Sequence, residues 1–462
     1  MKKSNRIVFF NFLSIVLLQG LSIITAPLFS RMLGTDGYGG VEIYNIWMAA
    51  VTIVFSFQTL GTMPAARIEY PREKQDAYQS SALFLSTVTF ACLSVPVLLF
   101  RRPIAGALQL DEILIPLLLV QAFTGYCINY LSNKFVYDFR AGWNCFLSVA
   151  TAVLTMALSI GLILWSPPEK GYLGRIFALV LTNVLVGIPA MIYIFSSGKT
   201  FYHREYWRFC LPLALPFIFY NLSDLLLGQS DRVMLQQMMS RAAVGEYSLA
   251  LKFGGIMFTI FGALNSTWCP FFFDYMKDGN REAMLRQSKN FLELFTVLSA
   301  GFLLLNREVF HVFASKDFWG GTVLIPAFVT GYYLNFLCTF PINYEYFRKQ
   351  TRMVALVTIV SALINIGLNY VLIQHLDAMG AALATMTSHL LQFTMHYVYA
   401  RFVLGKGDFP FGARVLGRYV LAYCAVLALT CLTPDFWLLR WGLGAAIGLW
   451  ELRRIWKRKV LM

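Results

Sequence analysis

Charge is what this sequence has least of. Only 13% of its 462 residues are Asp, Glu, Lys or Arg, about half the share of a soluble domain. It also lacks a C-x-x-C pair, a Walker phosphate loop, the hydrolase and zinc-protease signatures G-x-S-x-G and H-E-x-x-H, and any long polar segment. Each absence removes a class. Eight cysteines scattered through apolar blocks indicate neither a disulfide framework nor a metal site, and read as small buried hydrophobes. The five histidines (His203, His311, His375, His389, His396) show no metal spacing, so no metal is expected. Without a phosphate loop the chain does not hydrolyse ATP. Without a catalytic motif or a paired acidic loop, neither an enzyme nor a cofactor is expected. A polymerase or ligase of polysaccharide needs a large outer loop, and every loop here is short.

What is present is apolar. Hydrophobic residues make up 58% of the chain and mean hydropathy is +0.61. The apolar residues fall in blocks of roughly 18–25, the length a helix needs to cross about 30 Å of hydrocarbon. Barrel strands alternate over about ten residues, and these blocks are too long and too continuous for that. The sequence predicts an all-α polytopic membrane protein.

Spans are expected at about 7–29, 40–62, 80–100, 112–133, 144–165 and 173–195. After a basic linker, six more follow at about 207–229, 243–267, 289–310, 319–340, 353–373 and 378–400. Two last spans, about 415–432 and 435–450, bring the total to about fourteen. The basic head MKKSNR resembles a signal-peptide start, but the run behind it is long and lacks a clear cleavage site, so it is read as a retained helix.

The two groups of six are copies. QAFTGYCINYLSN (121–133) and AFVTGYYLNFLCT (327–339) place Thr124, Gly125, Tyr126 and Asn129 opposite Thr330, Gly331, Tyr332 and Asn335, each pair 206 positions apart. The same offset pairs Gly39 with Gly245, Phe55 with Phe261, Pro64 with Pro270, Arg101 with Arg307, Asp111 with Asp317, Gly161 with Gly367 and Gly174 with Gly380. An internal repeat decides architecture. Six spans per copy is even, so both copies enter the membrane from one side as parallel repeats. The chain divides into lobes 1–198 and 199–404, with two extra spans and a basic tail in 405–462. Facing bundles leave a central cleft, the architecture of a transporter. In the TGY-x-x-N motif, Gly125 and Gly331 are expected to let helices approach, with Asn129 and Asn335 bonding across the contact.

Lys and Arg set the orientation. With the N-terminus inside, ten lie in outer loops: Arg31, Arg101, Arg102, Lys170, Arg175, Arg232, Arg241, Arg307, Lys316 and Arg440. Lys252 sits within a span, and the other 27 fall on the cytoplasmic side. The bias predicts a multi-pass protein of the cell membrane with both termini cytoplasmic. It also accounts for the net charge of +14 without a nucleic-acid partner. The charged stretch DYMKDGNREAMLRQSKN (274–290) reads as a solvated or headgroup-level helix.

Ionisable groups inside a bilayer are costly and by default face a cavity or a partner. In the seventh span, Asn221, Asp224, Gly228 and Asp231 share one helical face, and Pro212 and Pro216 favour a kink. In the eighth, Gly245, Ser248, Lys252, Gly255 and Thr259 form a similar stripe. Counted inward from the outer edge, Asp224 and Lys252 lie at the same level, on the order of 10–14 Å deep. They can meet either as a cargo-binding pair or as a structural ion pair between helices. The second span carries Glu42, Asn45, Thr52 and Ser56 on one face, and the first carries Asn11, Ser14, Gln19, Ser22 and Thr25. Asn365 with Asn369, and His389 with Gln392 and His396, read as interhelical hydrogen-bond partners. Arg31, at the outer end of the first span, can meet an anionic headgroup or simply snorkel.

PLFSRMLGTDGYGGVEIY (27–44) and SDRVMLQQMMSRAAVGEYSLALKF (230–253) resemble the bacterial polysaccharide and O-antigen flippases. These belong to the multidrug/oligosaccharidyl-lipid/polysaccharide exporter superfamily. Pro27, Arg31, Leu33, Gly34, Tyr38 and Gly39 match an early P-x-x-x-R-x-L-G-x-x-x-Y-G turn. Asp231, Arg232, Gly245, Tyr247, Ala250 and Lys252 match a second passage, D-R … V-G-x-Y-x-x-A-x-K. The resemblance covers the full length. It implies MATE-like lobes in a V that open alternately, with spans 1, 2, 7 and 8 flanking the cleft. It implies as cargo an undecaprenyl-pyrophosphate-linked oligosaccharide, flipped to the outer leaflet for surface polysaccharide assembly. Membrane lipids are expected partners, as are a polysaccharide polymerase and co-assembly proteins. Lys252, Asp224, Asn221, Arg31, Glu42, Asn45 and Gln19 become candidate cargo-binding residues. The alternative is a cation-coupled multidrug or small-molecule exporter with Asp224 as coupling carboxylate. Lipid II flippases carry several arginines in the cavity. This chain shows only Lys252 clearly inside, which argues against a peptidoglycan precursor.

Overall fold

Fourteen α-helices succeed one another in the computed structural model, which describes residues 3–405 and 409–458. They are α1 Lys3–Phe55, α2 Met63–Glu69, α3 Arg72–Leu99, α4 Arg101–Leu108, α5 Leu114–Tyr137, α6 Ala141–Trp165 and α7 Gly171–Gly198. Then come α8 Arg204–Met238, α9 Arg241–Lys277, α10 Arg281–Phe313, α11 Ile325–Phe347, α12 Thr351–Val398, α13 Ala413–Leu432 and α14 Trp437–Arg458. No strand occurs among the described residues. Lys2, Lys406 and Lys459, counted above for orientation, lie outside the described residues, as do the side chains of Lys3, Arg6, Asn11, Lys457 and Arg458.

Eleven helical stretches among the described residues are long and apolar enough to cross a membrane. Two of them are double. α1 is interrupted at Gly34 (φ 65°) and α12 at Asp377 (φ 52°), so each is two successive helical segments. These interruptions fall where separate spans are expected. The stretch α14 is not among the eleven, because Arg440, Glu451, Arg453 and Arg454 interrupt its apolar run. The expected kink in α8 does not appear as a break: the helix is continuous through Pro212 and Pro216.

The 206-residue register holds in the backbone at two helix boundaries, while the turn before α6 (Phe139, φ 58°) recurs 210 positions on, at Lys349 (φ 59°). Gly34 interrupts α1, and its counterpart Ser240 separates α8 from α9. Ser240 is extended and its hydroxyl accepts the Ala243 N–H at 3.2 Å, capping α9. Asp377 interrupts α12, and its counterpart Gly171 begins α7. Gly174 and Gly380 form another matched pair. A methyl group at either would meet a backbone carbonyl of the preceding helical segment, Leu162 at 2.6 Å or Leu372 at 2.1 Å.

The chain folds as two compact units, Met1–Gln237 and Met238–Met462. In the first, α5 and α7 pack together and on α1, burying Tyr44, Leu118, Ile176 and the α5 centre Tyr126, Cys127 and Tyr130. In the second, α11 is the most enclosed span, packed on α9 and α12. The added helices α13 and α14 pack on α10. Tyr423 of α13 stacks on Tyr333 with centroids 4.0 Å apart, and its hydroxyl lies 3.0 Å from that of Thr330. Thr330 of the TGY motif thus anchors a helix that the first copy lacks.

The motif's glycines behave as expected, its asparagines do not. A methyl group at Gly125 would meet the Asn183 amide nitrogen at 3.1 Å, and one at Gly331 the His389 ring at 3.3 Å. Asn183 and His389 are themselves 206 positions apart, so both copies set a polar side chain of the copy's last span, two spans on, against the glycine. Asn129 is exposed and Asn335 half-buried. Among the described residues neither side chain makes the expected bond across that contact.

Candidate functional site

Past Phe55 the first unit does something the second does not. Phe57 (φ 52°) and Gln58 (φ 49°) are both left-handed, and a 3₁₀ turn, Thr59–Thr62, leads into α2. A non-glycine residue held there costs on the order of 1–3 kcal/mol. At membrane depth, broken backbone must also find new hydrogen-bond partners. It finds them in side chains. The Ser56 carbonyl accepts from the Ser86 hydroxyl at 2.6 Å and the Phe55 carbonyl from Thr89 at 2.7 Å. The Leu60 N–H donates to the Tyr126 hydroxyl at 2.9 Å, and the Thr59 hydroxyl lies 2.9 Å from the same oxygen. The Gln58 N–H donates to Ser56 Oγ at 3.1 Å.

The second copy replaces these groups. Ser86 corresponds to Leu292, Thr89 to Phe295, Ser56 to Gly262 and Gln58 to Leu264. With these four side chains replaced, α9 runs unbroken from Arg241 to Lys277. The break in the first unit touches α8: the Asn221 amide donates to Gln58 Oε1 at 3.0 Å, and Gly61 packs on the Phe217 ring. Gln58, Ser86 and Thr89 escaped the sequence reading. The signal that finds them is a polar residue in one copy facing an apolar one in the other.

A second polar group of the first unit lies near the Gly34 interruption. Glu42 is buried, with its Oε2 3.9 Å from the Arg232 guanidinium. Asp231 is also buried and accepts the Arg232 backbone N–H at 2.8 Å. Arg175 lies 3.9 Å above the Phe29 ring and bonds the Ser159 hydroxyl. Arg175 and Arg232 were expected in outer loops, with Lys252 the one interior cation. Instead α7 begins at Gly171 and α8 extends to Met238, so both arginines stand on helices among packed side chains. Arg31 is exposed and Asn45 half-buried on α1, and Gln19 is exposed on its first segment. Of the first unit's candidates, the structure brings Glu42 to Arg232 and Asn221 to Gln58. Asp224 is exposed on α8.

In the second unit the α9 stripe divides. Gly245 and Ser248 are buried, whereas Lys252 and Thr259 are exposed. His396 meets Glu345 across α11 and α12, Nδ1 lying 3.0 and 3.1 Å from the two carboxylate oxygens, as expected of an interhelical partner. Asn369 instead donates to Asn365 within its own helix at 3.0 Å. The spacing of four that suggested a shared face also suits an intrahelical bond. Arg440, expected in an outer loop, is buried against Glu308 and the Leu304 carbonyl. Among the described residues no cluster of His, Cys, Asp or Glu is placed to hold a metal ion.

These features define a class: an all-helical, multi-pass membrane protein built from a diverged repeat, with buried ion pairs and exposed charges on spanning helices. The sequence profile of the polysaccharide biosynthesis protein family matches residues 5–276, and the chain belongs to that family. An uncharacterized membrane protein of Haemophilus influenzae is 23% identical over 353 residues, covering 74% of this chain and 83% of that one. Among solved structures, the fold is similar to the lipid II flippase MurJ in its inward closed conformation. The TM-score is 0.72 at 14% identity, over 99% of both chains. It is also similar to an inward-facing multidrug resistance MATE transporter of the MOP superfamily, with TM-score 0.56 and 14% identity over 86% of this chain and 96% of that one. The fold is that of the MOP-superfamily flippases and exporters.

Proposed function

We propose that the protein flips an undecaprenyl-pyrophosphate-linked oligosaccharide from the cytoplasmic to the outer leaflet of the cell membrane by alternating access. It does no covalent chemistry in this reading, and it works with a polysaccharide polymerase and co-assembly proteins. One observation carries the proposal: Asp224 and Lys252, on helices of spanning length, are both exposed by the protein. Charge on a spanning helix faces a cavity or a partner, and side chains of both signs left open to the outside of the packed helices suit a hydrated path. A sugar and pyrophosphate head cannot cross hydrocarbon cheaply. It can pass through a hydrated path while its lipid tail stays in the bilayer. Lys252 would then neutralise phosphate, with Asn221, Asn45, Gln19 and Arg31 offering donors to sugar or headgroup. Glu42 would act by holding Arg232, and Asp224 is the candidate for ion coupling. Membership in a polysaccharide biosynthesis family supports a glycan cargo over a drug.

A deletion strain tests the cargo. Loss of surface polysaccharide with accumulated lipid-linked repeat units is expected. Normal polymer with lost drug efflux would make the protein a small-molecule exporter instead.

A further inference from the structure

A groove of about 570 Å³ opens on the first unit between α5, α6 and α7, lined by none of the candidates above. Its walls are apolar, with Phe146, Ala150 and Leu185 along its length. Phe146 and Leu185 are exposed on spanning helices, so the groove faces the membrane's hydrocarbon. One end differs. Arg140 stands there, exposed, its Nη1 donating to the Tyr193 hydroxyl at 3.1 Å. Arg140 has no carboxylate partner among the described residues. The nearby acid, Asp138, is held by Lys134 at 3.3 Å. Trp143, also exposed, packs edge-on to Phe146 beside this end. An aromatic pair flanking a cation above an apolar trough is the pattern of the membrane interface.

We infer that this groove binds one membrane lipid with an anionic headgroup, its phosphate at Arg140 and an acyl chain along Phe146, Ala150 and Leu185. An acyl chain suits the apolar walls, and a guanidinium without a carboxylate partner selects the charge of the head. In the second copy the same left-handed turn, with Lys349 (φ 59°) in place of Phe139 (φ 58°), puts Gln350 at the helix cap where Arg140 stands, so the duplicated helices do not carry the same charge.

The test uses the full-length protein in liposomes containing a small fraction of phospholipid with brominated acyl chains. Subtracting the quenching seen in Trp143→Phe isolates the Trp143 signal. Brominated phosphatidylglycerol should occupy the groove about fivefold more strongly than brominated phosphatidylcholine, the preference one interfacial cation supplies. Arg140→Gln should abolish that preference, Arg140→Lys should retain it, and Ala150→Leu should weaken quenching by both lipids. Equal quenching by the two lipids overturns the proposal, as does a preference that survives Arg140→Gln. Protection of Trp143 that rises with protein density would make a second copy of the chain the occupant, and overturns it equally.

Discussion

The Tyr126 hydroxyl accepts the Leu60 N–H at 2.9 Å, and so a residue of the repeated TGY motif holds the end of a broken helix that exists in one copy only. Tyr126→Phe leaves that half-buried N–H unbonded, at a cost of about 1–3 kcal/mol. The variant should unfold at a lower temperature in detergent. An unchanged midpoint would mean that the break is not held by this bond.

Ser86→Leu with Thr89→Phe installs the second copy's residues in the first. The carbonyls of Phe55 and Ser56 then lose their donors, and two bulky groups enter a packed region. Destabilisation should exceed that of Tyr126→Phe, on the order of several kcal/mol. Thermal unfolding again reads it. The reciprocal pair, Leu292→Ser with Phe295→Thr, should leave α9 helical, because its backbone is already satisfied.

Much of this was legible in the chain before its fold. A glycine, a capping serine and an aspartate 206 positions from a helix start are local features, so the repeat register carried over to Gly34, Ser240 and Asp377. The break at Phe57 and Gln58 was not legible. It depends on Ser86 and Thr89, which come from another helix and look like ordinary residues of an apolar span, and on Tyr126, which has a tyrosine counterpart in the unbroken copy. Arg175 and Arg232 were misplaced for another reason. Hydropathy ended the seventh span before Arg232, while the helix continues because Glu42 receives that charge, and Arg175, at the edge of the sixth span, is received by the Phe29 ring.

Glycine substitutions separate two kinds of contact. A methyl at Gly187 would lie 2.4 Å from the Thr124 carbonyl oxygen, a backbone atom, whereas one at Gly125 meets the end of the Asn183 side chain at 3.1 Å. Gly187→Ala should therefore destabilise by about 1–3 kcal/mol and Gly125→Ala by less. Midpoints of thermal unfolding compare them, and the reverse order would place the close helix contact elsewhere.

Glu42→Ala removes the carboxylate beside Arg232 and leaves a cation partly buried. Breaking such a pair from one side costs up to about 3–5 kcal/mol, while replacing both partners with apolar groups costs far less. Glu42→Met with Arg232→Met should thus be more stable than Glu42→Ala. If the double variant is the less stable one, the pair is not the source of the cost.

The central claim is that an exposed lysine on a spanning helix meets the charged head of a lipid-linked glycan. It is tested by flipping of an undecaprenyl-pyrophosphate-linked oligosaccharide in proteoliposomes, comparing the natural chain with Lys252→Ala at matched amounts of folded protein. The account predicts flipping by the natural chain and at least about a tenfold loss in Lys252→Ala, the value of one charge-assisted contact. Equal flipping by both, or none by the natural chain, would contradict it.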